Sequence, residues 1–330
     1  MKALIIGAAG MIGRKLTERL MRDGRLAGRQ IAQLNLVDIV APQPLANAPF
    51  PVALEAFDIA APYVAPKLIA LRPNVIFLLA SVVSGEAEAD FDKGYTINLG
   101  GTHALFEAIR REQALSGGAY RPRLVFTSSI AVFGAPFPDA IGDDFLAAPL
   151  TSYGTQKAIC ELLLADYSRR GFFDGIGLRL PTICVRPGKP NRAASGFFSG
   201  IIREPLAGKE AILPVEETVR HWHASPRAAI EFLLHAAELN LAEVGPRRSI
   251  TMPGVSVTIA EQIEALRQVA GEKTVSLIRR EPDETIARIV AGWPRNFDAT
   301  RALSLGFRSD ANFSSIIQAY IEDELNRRGV

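Results

Sequence analysis

Short runs of aliphatic and β-branched residues alternate with amphipathic stretches through the first half of the chain. The runs ALII (3–6), QLNLVDI (33–39), VALEAF (52–57), VIFLL (75–79), RLVFTS (123–128) and GIGLRL (175–180) read as strands. Helices are predicted over 11–22, 62–71, 95–113 and 153–169. In the last of these, Ile159, Leu162, Leu163 and Tyr167 follow the i, i+3, i+4, i+8 pattern of a buried stripe. Strand and helix in alternation predict right-handed βαβ units, hence an α/β fold: a Rossmann-type, doubly wound parallel sheet with helices on both faces.

The texture changes after about residue 185. RPGKPNRAASG (186–196) and LPVEET (213–218) are loop-like, a helix is predicted at 226–239, mixed short elements follow, and a final helix is predicted near 312–328. No polar linker separates the halves, so the expected organisation is a sheet domain over 1–185, with some later segments returning to it, and a smaller, partly interleaved lobe over 186–330. A ligand is expected at the carboxyl ends of the strands, where the lobes meet.

Composition narrows the function classes. The 330 residues are 48% hydrophobic, enough for a sizeable core. With 37 basic and 35 acidic side chains the net charge is +2, which gives no reason to expect nucleic acid or an anionic membrane as partner. Small molecules are the expected ligands. Cys160 and Cys184 have no metal-ligand spacing, which fits a reduced, cytoplasmic setting. The apolar run Ala3 to Gly13 behind Lys2 imitates a secretory signal, but three evenly spaced glycines inside it argue otherwise, and no run is long enough to span a bilayer.

Those glycines stand in Gly7-Ala8-Ala9-Gly10-Met11-Ile12-Gly13, between the first strand and the first helix. Glycine there permits a tight turn and close approach of backbone to a pyrophosphate, which the free amides of the helix amino terminus can hold. Asp38 ends the second strand, where a carboxylate accepts hydrogen bonds from ribose hydroxyls and repels a 2′-phosphate; NAD is therefore expected over NADP. Asp58-Ile59 after the third strand could bracket the adenine, or Asp58 could cap a helix. Leu79-Ala80-Ser81 ends the fourth strand with small residues past which a cofactor could lie.

TSYGTQK (151–157) adds a Tyr153-x-x-x-Lys157 pair on one helix face. A free phenol titrates near pH 10, so work as a base near neutrality calls for an adjacent positive charge. Thr127, Ser128 and Ser129 close the fifth strand, and a hydroxyl from there would complete a proton-handling group with Tyr153 and Lys157.

Taken in order, GAAGMIG, Asp38, Asp58-Ile59, LLAS (78–81), the segment Asn98 to Thr102, FTSSIAVFG (126–134), YGTQK (153–157) and RLPTICVRPG (179–188) resemble the extended short-chain dehydrogenases/reductases. The resemblance spans about the first 190 residues and is looser beyond. It implies Ser129, Tyr153 and Lys157 as the catalytic three, Asn98 in a proton relay around Lys157, and Pro181-Thr182-Ile183 along the nicotinamide carboxamide. It also implies a homodimer through the helices at 95–113 and 153–169. In finer detail the chain is similar to members that oxidise a four-carbon sugar acid with NAD. Its carboxylate would need an arginine; Arg186, Lys189, Arg192 and Arg220 are candidates, and the resemblance favours Arg220. Dehydratases of the family commonly carry Asp-Glu after the strand-five hydroxyl, where Ile130-Ala131 stands here. A nucleotide-sugar epimerase, a threonine dehydrogenase and a non-catalytic NAD sensor are the other readings. His221-Trp222-His223 puts two imidazoles on one strand face, but with no third ligand in view packing is expected and no metal.

Overall fold

The computed structural model describes residues 1–44, 46–188 and 195–326. Lys189 and Arg192, two candidate carboxylate partners, lie outside the described residues.

Ten of the strands and eight of the helices build the sheet, the cores and the site. The strands are β1 (Lys2–Ile6), β2 (Gln33–Asp38), β3 (Val52–Ala56), β4 (Val75–Leu78), β5 (Arg123–Ser129), β6 (Asp174–Leu180), β7 (Thr182–Ile183), β8 (Arg220–Ala224), β9 (Ser249–Thr251) and β10 (Val255–Thr258). The helices are α1 (Met11–Asp23), α2 (Val64–Ile69), α3 (Thr102–Leu115), α4 (Ser152–Arg169), α5 (Gly196–Leu206), α6 (Pro226–Glu238), α7 (Ile259–Ala270) and α8 (Phe313–Tyr320). Seven strands form one sheet in the order β9-β6-β5-β4-β1-β2-β3. The ladders of β1 with β2 and β4, of β2 with β3, and of β4 with β5 are parallel. This is the Rossmann-type α/β fold, and its order reverses direction beside β1.

The chain divides into two compact units. The first comprises 1–132, 151–179 and 230–250; the second comprises 133–150, 180–229 and 251–330. In the first, Ala3, Leu4, Ile5 and Ile6 are buried on both faces of the central strand, which is why β1 reads as a continuous apolar run. Leu4, Ile6, Ile76, Leu78, Phe106, Ile109, Phe126 and Leu164 belong to its core. The second unit has a core of its own around Phe198, Ile202, Ile263, Leu266, Ile316 and Ile317.

Two expectations need correction. Of the stripe Ile159, Leu162, Leu163 and Tyr167 on α4, Leu163 and Tyr167 pack against the core, but Leu162 is 74% exposed, and the fully buried residues are Gly154, Gln156, Lys157, Cys160, Glu161, Leu164 and Ser168. The buried face carries polar side chains because they are paired there, and hydrophobic periodicity cannot see pairing. In the second unit, α5 occupies residues for which the sequence predicts no element, and α7 lies in a stretch read only as mixed. The start of α7 did carry a signal, a capping box in which Thr258 accepts from the Glu261 amide while the Glu261 side chain accepts from the Thr258 amide.

Candidate functional site

The glycine-rich turn is built by backbone contacts that side chains would block. Gly7 has φ of +98°, and a Cβ on it would lie 2.5 Å from the Ala80 amide nitrogen. The amides of Gly7 and Ala8 both donate to the Val37 carbonyl, at 2.8 and 3.1 Å, which ties the turn to β2. Helix α1 then starts from Gly10 with no side-chain cap, so the first-turn amides keep their donors for a ligand. It buries Gly13, Leu16, Thr17 and Leu20, a regular i, i+3, i+4, i+7 stripe.

Asp38 sits where the sequence predicts, at the end of β2, and it also braces the turn. One carboxylate oxygen accepts from the Ala9 amide at 2.9 Å and the other from the Val40 amide at 3.2 Å. Each oxygen has further acceptor capacity. Asp58 closes a local turn by accepting from the Ala60 amide at 2.9 Å, and Ile59 is buried against the Gly101 backbone. The amides of Leu79 and Ala80 both donate to the Ile6 carbonyl, holding the end of β4 beside the glycine turn.

Asn98 lies on a wide π-type turn, Tyr95–Gly101, that leads into α3. Its side-chain oxygen accepts from the Val82 amide at 2.7 Å and from the Ser81 hydroxyl at 3.0 Å. Its amide donates to the Val82 carbonyl at 3.1 Å and to Gln156 Oε1 at 2.7 Å. All four hydrogen bonds available to this side chain are thus made, and it clamps the 81–82 backbone to α4. Its main-chain carbonyl accepts from the Cys160 thiol.

Helix α4 is capped by Thr151, whose hydroxyl accepts from the Gly154 amide. Within its first turns the ammonium of Lys157, only 3% exposed, lies 5.6 Å from the centre of the Tyr153 ring and 4.8 Å from that of Phe126. It donates to the Thr127 carbonyl on β5 at 2.8 Å. An ammonium has three donors, and this carbonyl is its one hydrogen-bond acceptor among the described residues. Ser129, at the end of the same strand, has its hydroxyl oxygen fixed by the Ala131 amide at 3.1 Å. The first unit therefore carries the glycine turn after β1, Asp38 and Ser129 at the ends of β2 and β5, and Tyr153 and Lys157 on α4, with Lys157 bonded to β5. A buried cation in such a place favours a nearby anion.

Sequence reasoning missed Glu161 and Arg179, and named Ser128 only among the hydroxyls that close β5. The Ser128 hydroxyl donates to Glu161 at 2.5 Å, and Arg179 donates to both Glu161 oxygens, its Nη2 at 2.7 Å. A glutamate four residues after Lys157 was the available signal.

In the second unit, Arg220 donates to the Ser256 carbonyl at 2.9 Å and pairs with the half-exposed Glu261 at 3.2 Å. Thr182 and His221 meet at 2.7 Å, and His221 Nδ1 donates to the Pro294 carbonyl at 3.0 Å, so its Nε2 accepts the Thr182 hydroxyl. His221 stacks on Phe198 at 4.9 Å, and His223 packs edge-on against the same ring. The two imidazoles do share a face. Among the described residues no group of three or more His, Cys, Asp or Glu could hold a metal. No described helix is long and apolar enough to cross a membrane.

Burial holds His221 down to about 4 against an ordinary 6.5, and pushes His223 in the same direction. The folded value lies below the unfolded one, so the unfolded chain takes up protons that the native state refuses as pH falls between these values. Stability present above about pH 6.5 is lost through this window, His221 alone accounting for about 3 kcal/mol by its lower end. The melting temperature should drop steeply there, and less steeply in His221→Gln. Parallel curves for the two proteins would refute the assignment.

The model of the NAD-dependent epimerase/dehydratase family matches residues 3–237. The chain is 48% identical over 98% of its length to D-erythronate dehydrogenase of Cupriavidus necator, covering 98% of that protein. It is 42% identical, again over 98% of its length, to D-erythronate dehydrogenase of Haemophilus influenzae, covering all of it. A solved structure from Agrobacterium tumefaciens, described as a nucleoside-diphosphate-sugar epimerase, superposes with a TM-score of 0.96 at 62% identity, covering 99% of this chain and 95% of that one.

Proposed function

The chain belongs to the NAD-dependent epimerase/dehydratase family and is an NAD-dependent dehydrogenase; from that premise we propose that its substrate is D-erythronate, a four-carbon sugar acid, oxidised at the C2 hydroxyl to 2-dehydro-D-erythronate in sugar-acid breakdown. The observation that carries the reading is the buried Lys157 ammonium beside the Tyr153 ring, bonded to the Thr127 carbonyl on β5. The names of the relatives supply the substrate.

The residues present fit NAD. Gly7, Gly10, Met11, Ile12 and Gly13 form the cradle for a pyrophosphate, with Gly7 a position where a Cβ would strike backbone. Asp38 is assigned to the adenosine ribose, Asp58 and Ile59 to the adenine, and Leu79, Ala80 and Ser81 to the cofactor backbone, with Asn98 holding that segment in place. Lys157 is assigned to the nicotinamide ribose, Tyr153 beside it, and Pro181 and Thr182 to the carboxamide. When bound, NAD supplies the hydride acceptor. Tyr153 removes the proton of the substrate hydroxyl, the Lys157 charge favouring its anionic form. Ser129 donates a hydrogen bond to the oxygen that becomes the carbonyl.

Arg220 is assigned to the substrate carboxylate, which would take the place of Glu261; exposed pairs of that kind are worth little, so the exchange is inexpensive. Arg220→Ala should raise KM for erythronate about tenfold with kcat nearly unchanged. An unchanged KM would end that role. A homodimer in the cytoplasm is the proposed state, supported by the exposed Leu162 on α4; a monomer mass by light scattering would contradict the dimer.

The deciding experiment offers four-carbon sugar acids, threonine and nucleotide sugars with NAD or NADP and follows NADH formation. D-erythronate with NAD should give the fastest release of NADH. The description of the Agrobacterium tumefaciens structure favours a second reading, epimerisation of a nucleotide sugar, which would give an epimer and no released NADH. Activity with NADP alone would overturn the role of Asp38.

A further inference from the structure

We propose that Ser128, Glu161 and Arg179 form a positioning and charge-balancing unit behind Ser129, Tyr153 and Lys157. The proposal rests on the dehydrogenase reading above. Tyr153, Lys157 and Glu161 are spaced by four on α4, so Glu161 stands one turn beyond Lys157. Ser128 immediately precedes Ser129 on β5, and Arg179 lies on β6, the neighbouring strand. The three residues therefore join all three elements through one carboxylate, with hydrogen bonds of 2.5 to 3.1 Å.

Two physical consequences follow. Ser128 immediately precedes Ser129, so fixing the Ser128 hydroxyl on α4 holds the end of β5 from which Ser129 leaves the strand. Glu161 is buried, and a buried carboxylate one turn from Lys157 would oppose an anionic phenol on the same face. Arg179 cancels that charge. Apolar residues would pack in place of a buried ion pair at little or no loss of stability, so packing alone does not call for this one.

Few other charges face the pair. On α4 itself, burial raises the Cys160 thiol to about 11, so it stays neutral through an ordinary assay range. From the helix Ser84–Ala89, Glu88 accepts from the Ser152 amide, while Glu86 pairs with Lys93 of the short helix Phe91–Gly94. Tyr95 on the π-type turn packs at a tilt against Phe91. On α3, His103 and Glu107 engage Tyr167, at the far end of α4. On β5, Arg123 donates to the Ala236 and Leu239 carbonyls at the opposite end of the strand. The Gly-free turn Ile130–Val132 holds no charge.

The test uses Glu161→Gln, Arg179→Met and the double variant, each with and without Tyr153→Phe. Ultraviolet difference titration of each pair reads phenolate formation at Tyr153 with no substrate present, and the pH profile of kcat reads it in turnover. Two helical turns place Glu161 about 12 Å along the axis from Tyr153, so an unbalanced charge at an effective dielectric near 20 should move both midpoints by about one pH unit. Glu161→Gln, which leaves Arg179 unbalanced, should move them to lower pH; Arg179→Met should move them higher, and the double variant should return near the wild type. Ser128→Ala should lower kcat about tenfold with KM unchanged. If Arg179→Met does not fold, Glu161→Gln and the double variant decide. Midpoints that stay at the wild-type value in folded single variants would overturn the proposal. An inactive wild type would sink the dehydrogenase reading and leave the titration to speak for itself.

Discussion

Replacing Tyr153 by Phe is expected to lower kcat for erythronate oxidation about a thousandfold, within the range that a positioned acid or base contributes. The substitution removes one hydroxyl and leaves the ring that borders the Lys157 ammonium at 5.6 Å. NAD affinity and KM should therefore change by no more than a few fold, because the loss falls on proton removal and not on ground-state binding. Lys157→Met should do harm in both respects, since the cation is buried and bonded to the Thr127 carbonyl as well. Isothermal titration for NAD and initial rates for turnover separate the two outcomes. A Tyr153→Phe enzyme with wild-type kcat would show that another group takes the proton.

The elements that place this tyrosine were legible because each announces itself locally. β1, β2, β4, β5 and β6 are buried runs of aliphatic residues, α1 has a regular apolar stripe, and the glycine turn falls between a strand and a helix as such turns must. Helix α4 spans the residues the sequence predicts, with Leu163 and Tyr167 of the predicted stripe against the core. Its apolar residues Leu162 and Ile159 are not its inner face, and the inner face holds Gln156, Lys157 and Glu161. Burial of those side chains depends on partners distant in sequence: Asn98 for Gln156, Thr127 for Lys157, Ser128 and Arg179 for Glu161. A pairing between residues that far apart leaves no periodic trace in either segment. The second unit was harder for a related reason. Arg220 could be named as a cation from the sequence, but its pairing with Glu261 depends on how β8 meets the capping turn of α7.

Gly13→Ala is expected to weaken NAD binding at least a hundredfold, and the reason is visible in what a single methyl group would meet. A Cβ at Gly13 would run into the Gly7 carbonyl oxygen and lie 2.7 Å from Ala8 Cα, both of them backbone atoms with no rotamer to yield. Helix α1 would have to move off the turn, or the turn off β2, where the Gly7 and Ala8 amides hold it at 2.8 and 3.1 Å. Either movement displaces the free amides of the first helical turn from the place where a pyrophosphate would meet them. Overpacking of this kind also costs about 1–3 kcal/mol of stability, so the melting temperature should fall with the affinity. Gly10→Ala separates the two effects. The nearest atom to its added Cβ is 3.4 Å away and the backbone there is ordinary, so the fold should survive it. If the cofactor backbone passes against Gly10, affinity for NAD should nevertheless fall, at an unchanged melting temperature. Wild-type NAD affinity in Gly13→Ala, measured calorimetrically, would mean that the cradle built by this turn is not where the cofactor's phosphates are held.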